Sequence, residues 1–391
     1  MNHELYLINL SGPDHPGVTA SLMKDIYENN CQIIDIGQSI THGLLSLSLI
    51  VEPSAALNTE EFKQSLIATA NKMSMALDFK PIERKNLNKN SDEKYIISCV
   101  SLQGIRPEFL QDITAVLAKN NINIERIDNV SGEKLVSLDI YTVTKESINW
   151  NNIKSELMAI SNSHSIDLAM LKNDVWRKNK RLIVFDMDST LIQSEVIVEM
   201  AKQYGVGEEV YLITEKAMNG EINFDESLIQ RVALLKGMPE IKLKSILQNI
   251  RYTDGAEEFI QTVRNLGYKT AIISGGFNYF ANAFKEELKI DYAFSNELEI
   301  IDGKLTGKVK GPIVNAEKKA ILLELLAQQE NINLEQVVAI GDGANDLDML
   351  AKAGLGIAFH AKEIVKKTAK QHMSHGPMTS ILYFLGIHQG N

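Results

Sequence analysis

The chain has 391 residues, of which 45% are hydrophobic, so it is long enough for two to four domains. Its formal net charge of −10 argues against nucleic acid or an anionic membrane as the main partner, although a few well-placed cations could still bind a small anion. No apolar run approaches the about 20 residues that cross a bilayer. The first residues do not resemble a secretion signal, and the only cysteines are Cys31 and Cys99. We therefore expect a cytoplasmic protein without a disulfide framework.

The first half of the chain contains an internal repeat. PGVTASLMKDIYENNCQIIDI begins at Pro16 and PEFLQDITAVLAKNNINIERI begins at Pro107, an offset of 91 residues. Each copy combines β-type runs with a stretch of helical period, which predicts two small α+β domains at residues 1–83 and 94–175. The polar segment 84–93 between them is predicted to be a linker. The β-type runs are Leu5–Leu10 and Leu44–Val51 in the first copy, and Tyr95–Leu102 and Leu135–Val143 in the second.

The remainder of the chain has the pattern of an α/β domain with a doubly wound parallel sheet, at residues 176–391. Continuous apolar runs predict buried strands at Arg181–Asp186, Lys269–Ile273 and Val337–Ile340. Helical patterns separate these runs, so the strands are expected to be parallel and joined by crossovers. Residues about 196–251 contain only helix-period segments, which predict a helical cap over the end of the sheet.

Chemically active side chains follow each of the three predicted strands. Because ligands of open α/β sheets lie beyond the carboxyl ends of the strands, we expect these side chains to share one cleft. Paired carboxylates suit Mg²⁺, and a hydroxyl beside a glycine amide suits a phosphate oxygen. Each motif alone is more often an ordinary turn, but all three at strand ends in one sheet indicate a phosphate-handling site. They are Asp186-Met-Asp188-Ser-Thr190, Ser274-Gly275-Gly276, and Gly341-Asp342-Gly343-Ala-Asn345-Asp346.

These motifs, together with Lys319, resemble the four motifs of the haloacid dehalogenase superfamily. The surroundings of Glu195, Phe224 and Arg231, and Ser274-Gly-Gly-Phe, resemble its phosphoserine phosphatase branch more closely. The resemblance covers the chain from about Arg181 to its end. The first half resembles a pair of ACT-type regulatory domains.

The resemblance implies a Mg²⁺-dependent hydrolase that converts O-phospho-L-serine to L-serine and phosphate, the last step of serine biosynthesis. Asp186 would be the nucleophile that forms an aspartyl-phosphate, and Asp188 would donate and then accept the proton. Asp186, the carbonyl of Asp188 and Asp342 would hold the metal, with Asp346 supporting it. Ser274, the Gly275 amide and Lys319 would bind the phosphoryl oxygens, with Asn345 in the same cleft.

Substrate choice would reside in and beside the cap. The resemblance implies that Glu195 receives the ammonium of phosphoserine and that Arg231 grips its carboxylate. Phe224 and Met218 would form an apolar lid over the cleft. Without the resemblance, Glu195 and Arg231 would be taken as ordinary surface charges.

The loop Gly12-Pro-Asp14-His15-Pro16-Gly17 resembles the amino-acid-binding loop of ACT domains. This implies L-serine as a feedback effector held at Asp14, Pro16 and Gly17; the alternative is that these are turn residues only. The second copy lacks the aspartate and the second glycine, so a ligand there is not expected, and that copy is a candidate for homodimerisation.

Two weaker motifs in the sequence favour ordinary structural explanations. His372 and His375 lack an acidic or cysteine partner nearby in sequence, so we expect them on a solvated surface and not in a metal site. Gly341-x-Gly343 lacks the third glycine of a dinucleotide fingerprint, so we do not expect the chain to bind NAD. A phosphotransferase with the same aspartyl-phosphate stays open as an alternative function. A catalytically dead amino-acid sensor is disfavoured, because Asp186, Asp188, Lys319 and Asp342 are all present.

Overall fold

A computed structural model of the protein describes residues 5–55, 57–83, 93–132, 134–144, 150–218 and 221–387. The chain forms two compact units, Met1–Asn90 and Ser91–Asn391. The predicted linker at 84–93 lies outside the described residues, except for Glu93, which begins a strand. Among the described residues, no helix combines the length and apolar character needed to span a membrane.

The first unit is an antiparallel sheet with two helices, arranged β-α-β-β-α-β. The strand order is β2-β3-β1-β4. Strand β3 alternates between exposed and buried residues, and its buried Leu47 and Leu49 share a core with Phe62 and Leu66 of the second helix. This alternation is typical of a sheet with one face on a core. The elements are β1 Leu5–Pro13, α1 Val18–Glu28, β2 Gln32–Thr41, β3 Leu44–Glu52, α2 Thr59–Lys72 and β4 Ala76–Ile82.

The second unit begins with the same arrangement of strands and helices. Its antiparallel sheet has the order β6-β7-β5-β8, which matches the first sheet strand for strand. Unlike β3, strand β7 is buried on both faces over Ser137–Ile140. The elements are β5 Glu93–Val100, α3 Pro107–Lys119, β6 Asn123–Asn129, β7 Ser137–Thr144, α4 Trp150–His164 and β8 Asp167–Lys172.

The rest of the second unit is a seven-stranded sheet flanked by helices. The strand order is β12-β11-β10-β9-β13-β14-β15, parallel except for the β11–β12 pair. The central strand is fully buried, as its apolar run predicts. The strands are β9 Leu182–Phe185, β10 Lys269–Phe277, β11 Tyr292–Ile301, β12 Lys304–Lys310, β13 Val337–Gly341, β14 Leu355–Phe359 and β15 Gln371–Met373.

Four helices between β9 and β10 form the predicted cap, and none of the described residues between Val196 and Asn249 lies in a strand of a sheet. The cap consists of α5 Val196–Tyr204, α6 Gly207–Met218, α7 Phe224–Leu234 and α8 Ile241–Asn249. The remaining helices are α9 Ala256–Asn265, α10 Asn278–Leu288, α11 Ala316–Gln329, α12 Leu347–Lys352, α13 Glu363–Thr368 and α14 Ile381–Phe384.

The second antiparallel sheet and the seven-stranded sheet share one hydrophobic core. Val100, Ala169 and Leu171 belong to the same buried cluster as Ile183 and Phe185. Polar contacts reinforce this packing. The Gln371 side chain accepts a hydrogen bond from the Met170 amide at 2.8 Å, and the buried Asp167 carboxylate accepts from the amides of residues 374–376.

This packing makes the expectation for His372 wrong. His372 is only 5% exposed, and His375 is half-buried, where the sequence predicted a solvated surface. The physical reason is that His372 lies on the edge strand β15, which packs against β8 of the second antiparallel sheet.

Candidate active site

The three motifs converge because their strands are neighbours. Strand β9 pairs in parallel with β10 on one side and β13 on the other, so the carboxyl ends of all three meet at one edge. Asp186 directly follows β9, and its amide donates to the Ile340 carbonyl of β13 at 2.9 Å. Ser274 and Gly275 lie at the end of β10, and Asp342 directly follows β13.

A tight turn after β9 sets the orientation of the second aspartate. The turn Met187–Leu191 contains Ser189 in the left-handed region, at φ 56°. It turns the chain so that the Asp188 Oδ1 accepts a hydrogen bond from the Val196 amide, at 2.9 Å. Thr190 Oγ1 donates to Asp342 Oδ1 at 2.6 Å, which ties this turn to the loop after β13.

Lys319 occupies the centre of the cluster. Its side chain is fully buried, and its Nζ donates to Asp186 Oδ1 and to Asp346 Oδ1, both at 2.7 Å. Burial lowers the pKa of Lys319, but attraction to the two carboxylates outweighs burial, so its pKa is raised above the ordinary lysine value. Asp346 is fixed in turn, because its Oδ2 accepts from the Gly343 amide at 2.9 Å.

Negative charge is crowded around this single ammonium. Burial, then the charge of Asp346, raises the pKa of Asp186 to about 7. Burial, then the charge of Asp186, raises the pKa of Asp342 to about 8. For Asp188, burial and the nearby Glu195 and Asp186 hold its pKa well above the usual range. Carboxyl groups in this situation are stabilised as anions by a cation placed among them.

The donor set fits a hard divalent cation. Asp186, Asp342 and Asp346 each offer a carboxylate oxygen, and these oxygens all lie within 4.8 Å of one another. Mg²⁺ prefers oxygen ligands and usually takes one or two protein carboxylates while it retains waters, so two of these groups could bind it and the third could support them. The residues present therefore fit the metal that the sequence implied.

The strand end opposite the carboxylates offers a hydroxyl and backbone amides. Ser274 is fully buried, and its Oγ accepts from the Gly276 amide at 2.9 Å. A side chain at either glycine would force a neighbouring side chain to move. A Cβ on Gly275 would lie 2.8 Å from Cζ of Phe224, and one on Gly276 would lie 2.5 Å from Oδ2 of Asp188.

Helix α7 of the cap brings Phe224 and Arg231 to this edge. The helix begins with a capping box in which Asn223 and Glu226 exchange hydrogen bonds, so its first turn is fixed. Burial lowers the pKa of Arg231, and the charges of Glu195 and Asp188 oppose that shift. The guanidinium therefore lies within electrostatic reach of both acids, although Arg231 is half-buried and Glu195 is exposed.

Five of the predicted residues lie outside the contacts described so far. Asn345 is half-buried in the short turn Ala344–Asp346, in the loop after β13 that also holds Asp342. Met218 is the last residue of α6, and its side chain lies outside the described part of the chain. Asp14, with Pro16 and Gly17, lies in the first unit, in an exposed loop between β1 and α1.

Asn296, Asn315 and Thr190 belong to the site but were given no role by the sequence. Buried Asn296 donates to the Gly275 carbonyl at 2.8 Å and accepts from the Val314 amide at 2.9 Å, so it holds the end of β10 in place. Asn315 caps α11 through the Lys318 amide and also donates to Asp225 of the cap at 3.2 Å. A polar residue directly before the helix that carries Lys319 was the one local signal available.

Comparison with known proteins agrees with this geometry. Residues 180–354 match the haloacid dehalogenase-like hydrolase family, and residues 4–80 match the ACT domain family. The chain is 36% identical over 98% of its length to the phosphoserine phosphatase SerB2 of Mycobacterium tuberculosis, covering 93% of that protein.

Two further relatives match a smaller share of the chain. The phosphoserine phosphatase of Archaeoglobus fulgidus is 52% identical over 54% of this chain and 61% of its own length, so this chain spans less than two thirds of that relative. The unliganded crystal structure of a probable phosphoserine phosphatase from Vibrio cholerae superimposes with a TM-score of 0.60 at 37% identity, covering 75% of this chain and 86% of that one. The chain belongs to the phosphoserine phosphatase family of haloacid dehalogenase-like hydrolases and carries an ACT domain.

Proposed function

We propose that this chain hydrolyses O-phospho-L-serine to L-serine and phosphate, the last step of serine biosynthesis. The observation that carries the proposal is the placement of Asp186 at the end of β9, 2.7 Å from the buried ammonium of Lys319 and two residues before Asp188. The names of its relatives support the same substrate.

Asp186 attacks phosphorus in line, and the bond from phosphorus to the serine oxygen breaks as the aspartyl-phosphate forms. Asp188 gives its proton to the departing serine oxygen. It then takes a proton from the water that attacks the aspartyl-phosphate, which releases phosphate and restores Asp186. The hydrogen bond from the Val196 amide to Asp188 Oδ1 keeps this carboxyl oriented beside Gly276.

The phosphoryl oxygens bind to Ser274, the Gly275 amide and Lys319, which are in place before substrate arrives. Mg²⁺ would be held by Asp186, Asp342 and the backbone carbonyl of Asp188, supported by Asp346, and when bound it neutralises charge on the phosphoryl group. Asn345 lies in the loop that carries Asp342 and contributes to the same cleft.

Selection of the amino acid rests on two opposite charges beside the phosphate site. Arg231 binds the substrate carboxylate, and Glu195 binds its ammonium, which suits a zwitterionic phosphate ester. Phe224 packs against Gly275 and would exclude water from the closed cleft. The lid role predicted for Met218 falls on a side chain outside the described residues.

Phosphate release from phosphoserine, with and without Mg²⁺, tests the reaction. Wild type should release phosphate only with the metal, and Asp186→Asn should lose at least about 10³-fold in kcat because the nucleophile is gone. Hydrolysis by Asp186→Asn at the wild-type rate would remove Asp186 from the mechanism. Asp348→Asn, in helix α12, is the matched control and should retain activity.

Substrate choice is tested with Arg231→Ala. It should raise KM for phosphoserine about 10-fold or more and leave the KM for an aryl phosphate that lacks a carboxylate nearly unchanged. Equal losses on both substrates would contradict the assignment of Arg231. Incubation with an added alcohol distinguishes the phosphotransferase alternative, because a transferase gives the phosphorylated alcohol.

Regulation and assembly belong to the same proposal. L-serine would bind at Asp14, Pro16 and Gly17. The domains at 1–83 and 94–175 would precede the catalytic domain 176–391 in the sequence. A homodimer is supported by exposed Ile36 and Ile40 on β2, an edge strand of the first sheet. Light scattering after size-exclusion chromatography tests the dimer; a monomer mass for the full chain would contradict it.

Cys31 and Cys99 are both free, which supports a cytoplasmic location.

A further inference from the structure

A cavity of about 390 Å³ lies between the second antiparallel sheet and the edge of the seven-stranded sheet. One wall comes from β5, α4 and β8, and the other from β14, β15 and α14, all within the compact unit Ser91–Asn391. None of the residues assigned above to the phosphate cleft lines it. Its volume is in the range of pockets that take one small molecule.

The lining combines an apolar floor with an excess of positive charge. Ile97, Leu157, Leu168 and Phe384 contribute to the floor. Five basic side chains and two acidic ones line the same space: Lys154, Lys172, Arg177, Lys180 and Lys370, against Asp174 and Glu335. Arg177 is neutralised by the buried Asp139, at 2.6 Å, but the remaining imbalance favours an anion.

Two of the lysines hold their charge without a carboxylate in contact. Lys154 Nζ donates to the carbonyls of Lys367 and Ala369, and Lys180 Nζ donates to the Glu335 carbonyl at 2.6 Å. Neither ammonium forms an ion pair with any residue in the described part of the chain. Burial lowers the pKa of both lysines, and for Lys180 the charges of Glu335 and Asp174 only partly oppose this. An anion beside them would compensate the cost of burial.

His372 adds an unsatisfied polar group to the same lining. It is 5% exposed, and its buried Nε2 has no hydrogen-bond partner among the described residues. Buried polar atoms in native structures are nearly always paired with protein, water or a ligand.

We propose that this cavity is a binding site for a small amphipathic anion. Its carboxylate, phosphate or sulfonate group would lie against Lys154 and Lys180, and its apolar body would lie on the floor formed by Ile97, Leu157 and Leu168. The volume is too small for a folded partner, and the apolar floor disfavours water as the sole occupant.

The dye 8-anilinonaphthalene-1-sulfonate is a suitable probe, because it joins an aromatic body to a single anionic group. The chain contains two tryptophans, and Trp176 lines the cavity. In the full-length Trp150→Phe variant, Trp176 is the only tryptophan, and the dye should quench its emission in a saturable way. The neutral analogue N-phenyl-1-naphthylamine should bind with an affinity lower by about tenfold or more, since it lacks the charged group.

The charge is tested by Lys154→Gln combined with Lys180→Gln, which keeps a donor at each position. The affinity for the dye should fall about tenfold or more, and Lys244→Gln, an exposed lysine on α8, should leave it unchanged. Phosphoserine hydrolysis should stay at the wild-type rate in both variants and so shows that they are folded.

A filled cavity gives an independent test. Met158→Phe enlarges a half-buried lining side chain and should block quenching of Trp176 while the lysines stay in place. Binding that is insensitive both to the double glutamine variant and to Met158→Phe means that the dye binds elsewhere, and this overturns the proposal. Equal affinity for the charged and the neutral dye overturns the part that concerns the anion.

Discussion

The two antiparallel sheets have the same strand order, but one face is exposed in the first sheet and buried in the second. In the first copy this face carries polar side chains that are exposed or half-buried, and in the second copy the corresponding side chains are buried. With the repeat offset of 91 residues, Asp78 and Lys80 correspond to Ala169 and Leu171. The second set belongs to the core that also contains Ile183 and Phe185 of the catalytic sheet.

This difference shows how one small fold can serve two purposes. A sheet needs only one apolar face to close its own core, so the other face is free to vary. In the second copy that face has become a wall of the catalytic domain. In the first copy it has kept the polar pattern of a separate module. Exchanging residues between the copies is therefore the direct way to test the comparison.

The largest loss of unfolding free energy is expected for Asp139→Ser. Ser48 is the corresponding residue of the first copy and is exposed, but Asp139 is 1% exposed and pairs with the buried Arg177 at 2.6 Å. Removing one partner leaves a buried charge, which should cost about 3–5 kcal/mol of unfolding free energy. Urea unfolding followed by tryptophan emission measures this, since both tryptophans belong to the second unit. The reverse exchange, Ser48→Asp, should change stability by about 0.5 kcal/mol or less.

Leu171→Ala should destabilise the second unit by about 2–3 kcal/mol, because it opens a cavity in the shared core. The same urea titration measures the loss. Asn173→Ala, an exposed position just after β8, is the matched control and should stay within about 0.5 kcal/mol of wild type. A loss below about 1 kcal/mol for Leu171→Ala would mean that the wall is only loosely packed against the catalytic domain.

The sequence predicted the elements that local patterns determine. Continuous apolar runs gave the buried parallel strands, and the repeat gave two matching α+β sheets, since side-chain period and chain reversals are local properties. The motifs at strand ends predicted that Asp186, Ser274 and Asp342 meet, because parallel neighbours share one edge.

Residues that act through distant contacts could not be found in this way. Asn296 holds Gly275 from 21 positions away, and no local pattern marks it. The position of Asn315 before α11 marks it as a helix cap, but its contact with Asp225 of the cap, across 90 positions, has no local signal. The burial of His372 depends on how the second copy packs against β15, which no short stretch of sequence encodes.

Asp14→Ala should weaken L-serine binding about tenfold or more, because a charged hydrogen bond to the ammonium is lost. The second copy has Ile105 at the corresponding position, and Ile105 is buried, so that copy should contribute no serine site. Isothermal titration calorimetry with L-serine measures both the affinity and the number of serine sites. Heats that are unchanged in Asp14→Ala would place any serine site elsewhere, and Asp35→Ala serves as a control in the same unit.

The stability of the contact between the second copy and the catalytic domain should depend on pH, because His372 is buried there. Burial lowers the pKa of His372 below its ordinary value of about 6.5, so protonation favours the unfolded chain. Its contribution to stability is full above that value and is lost as the pH falls below it. His372→Leu should reduce the loss of urea stability between about pH 7 and pH 5.

The smallest effect is expected for Lys80→Leu, which places the residue of the second copy on the exposed face of the first. Lys80 is exposed on β4 and pairs with Asp78, at 3.0 Å, with both side chains more than half exposed. Such pairs contribute about 0–1 kcal/mol, so the unfolding free energy should change by about 0.5 kcal/mol or less. Hydrogen exchange of the β1 and β4 amides measures this for the first unit alone. A large protective effect would mean that this face is covered in the folded protein, and the contrast between the two copies would then lie in what covers each face.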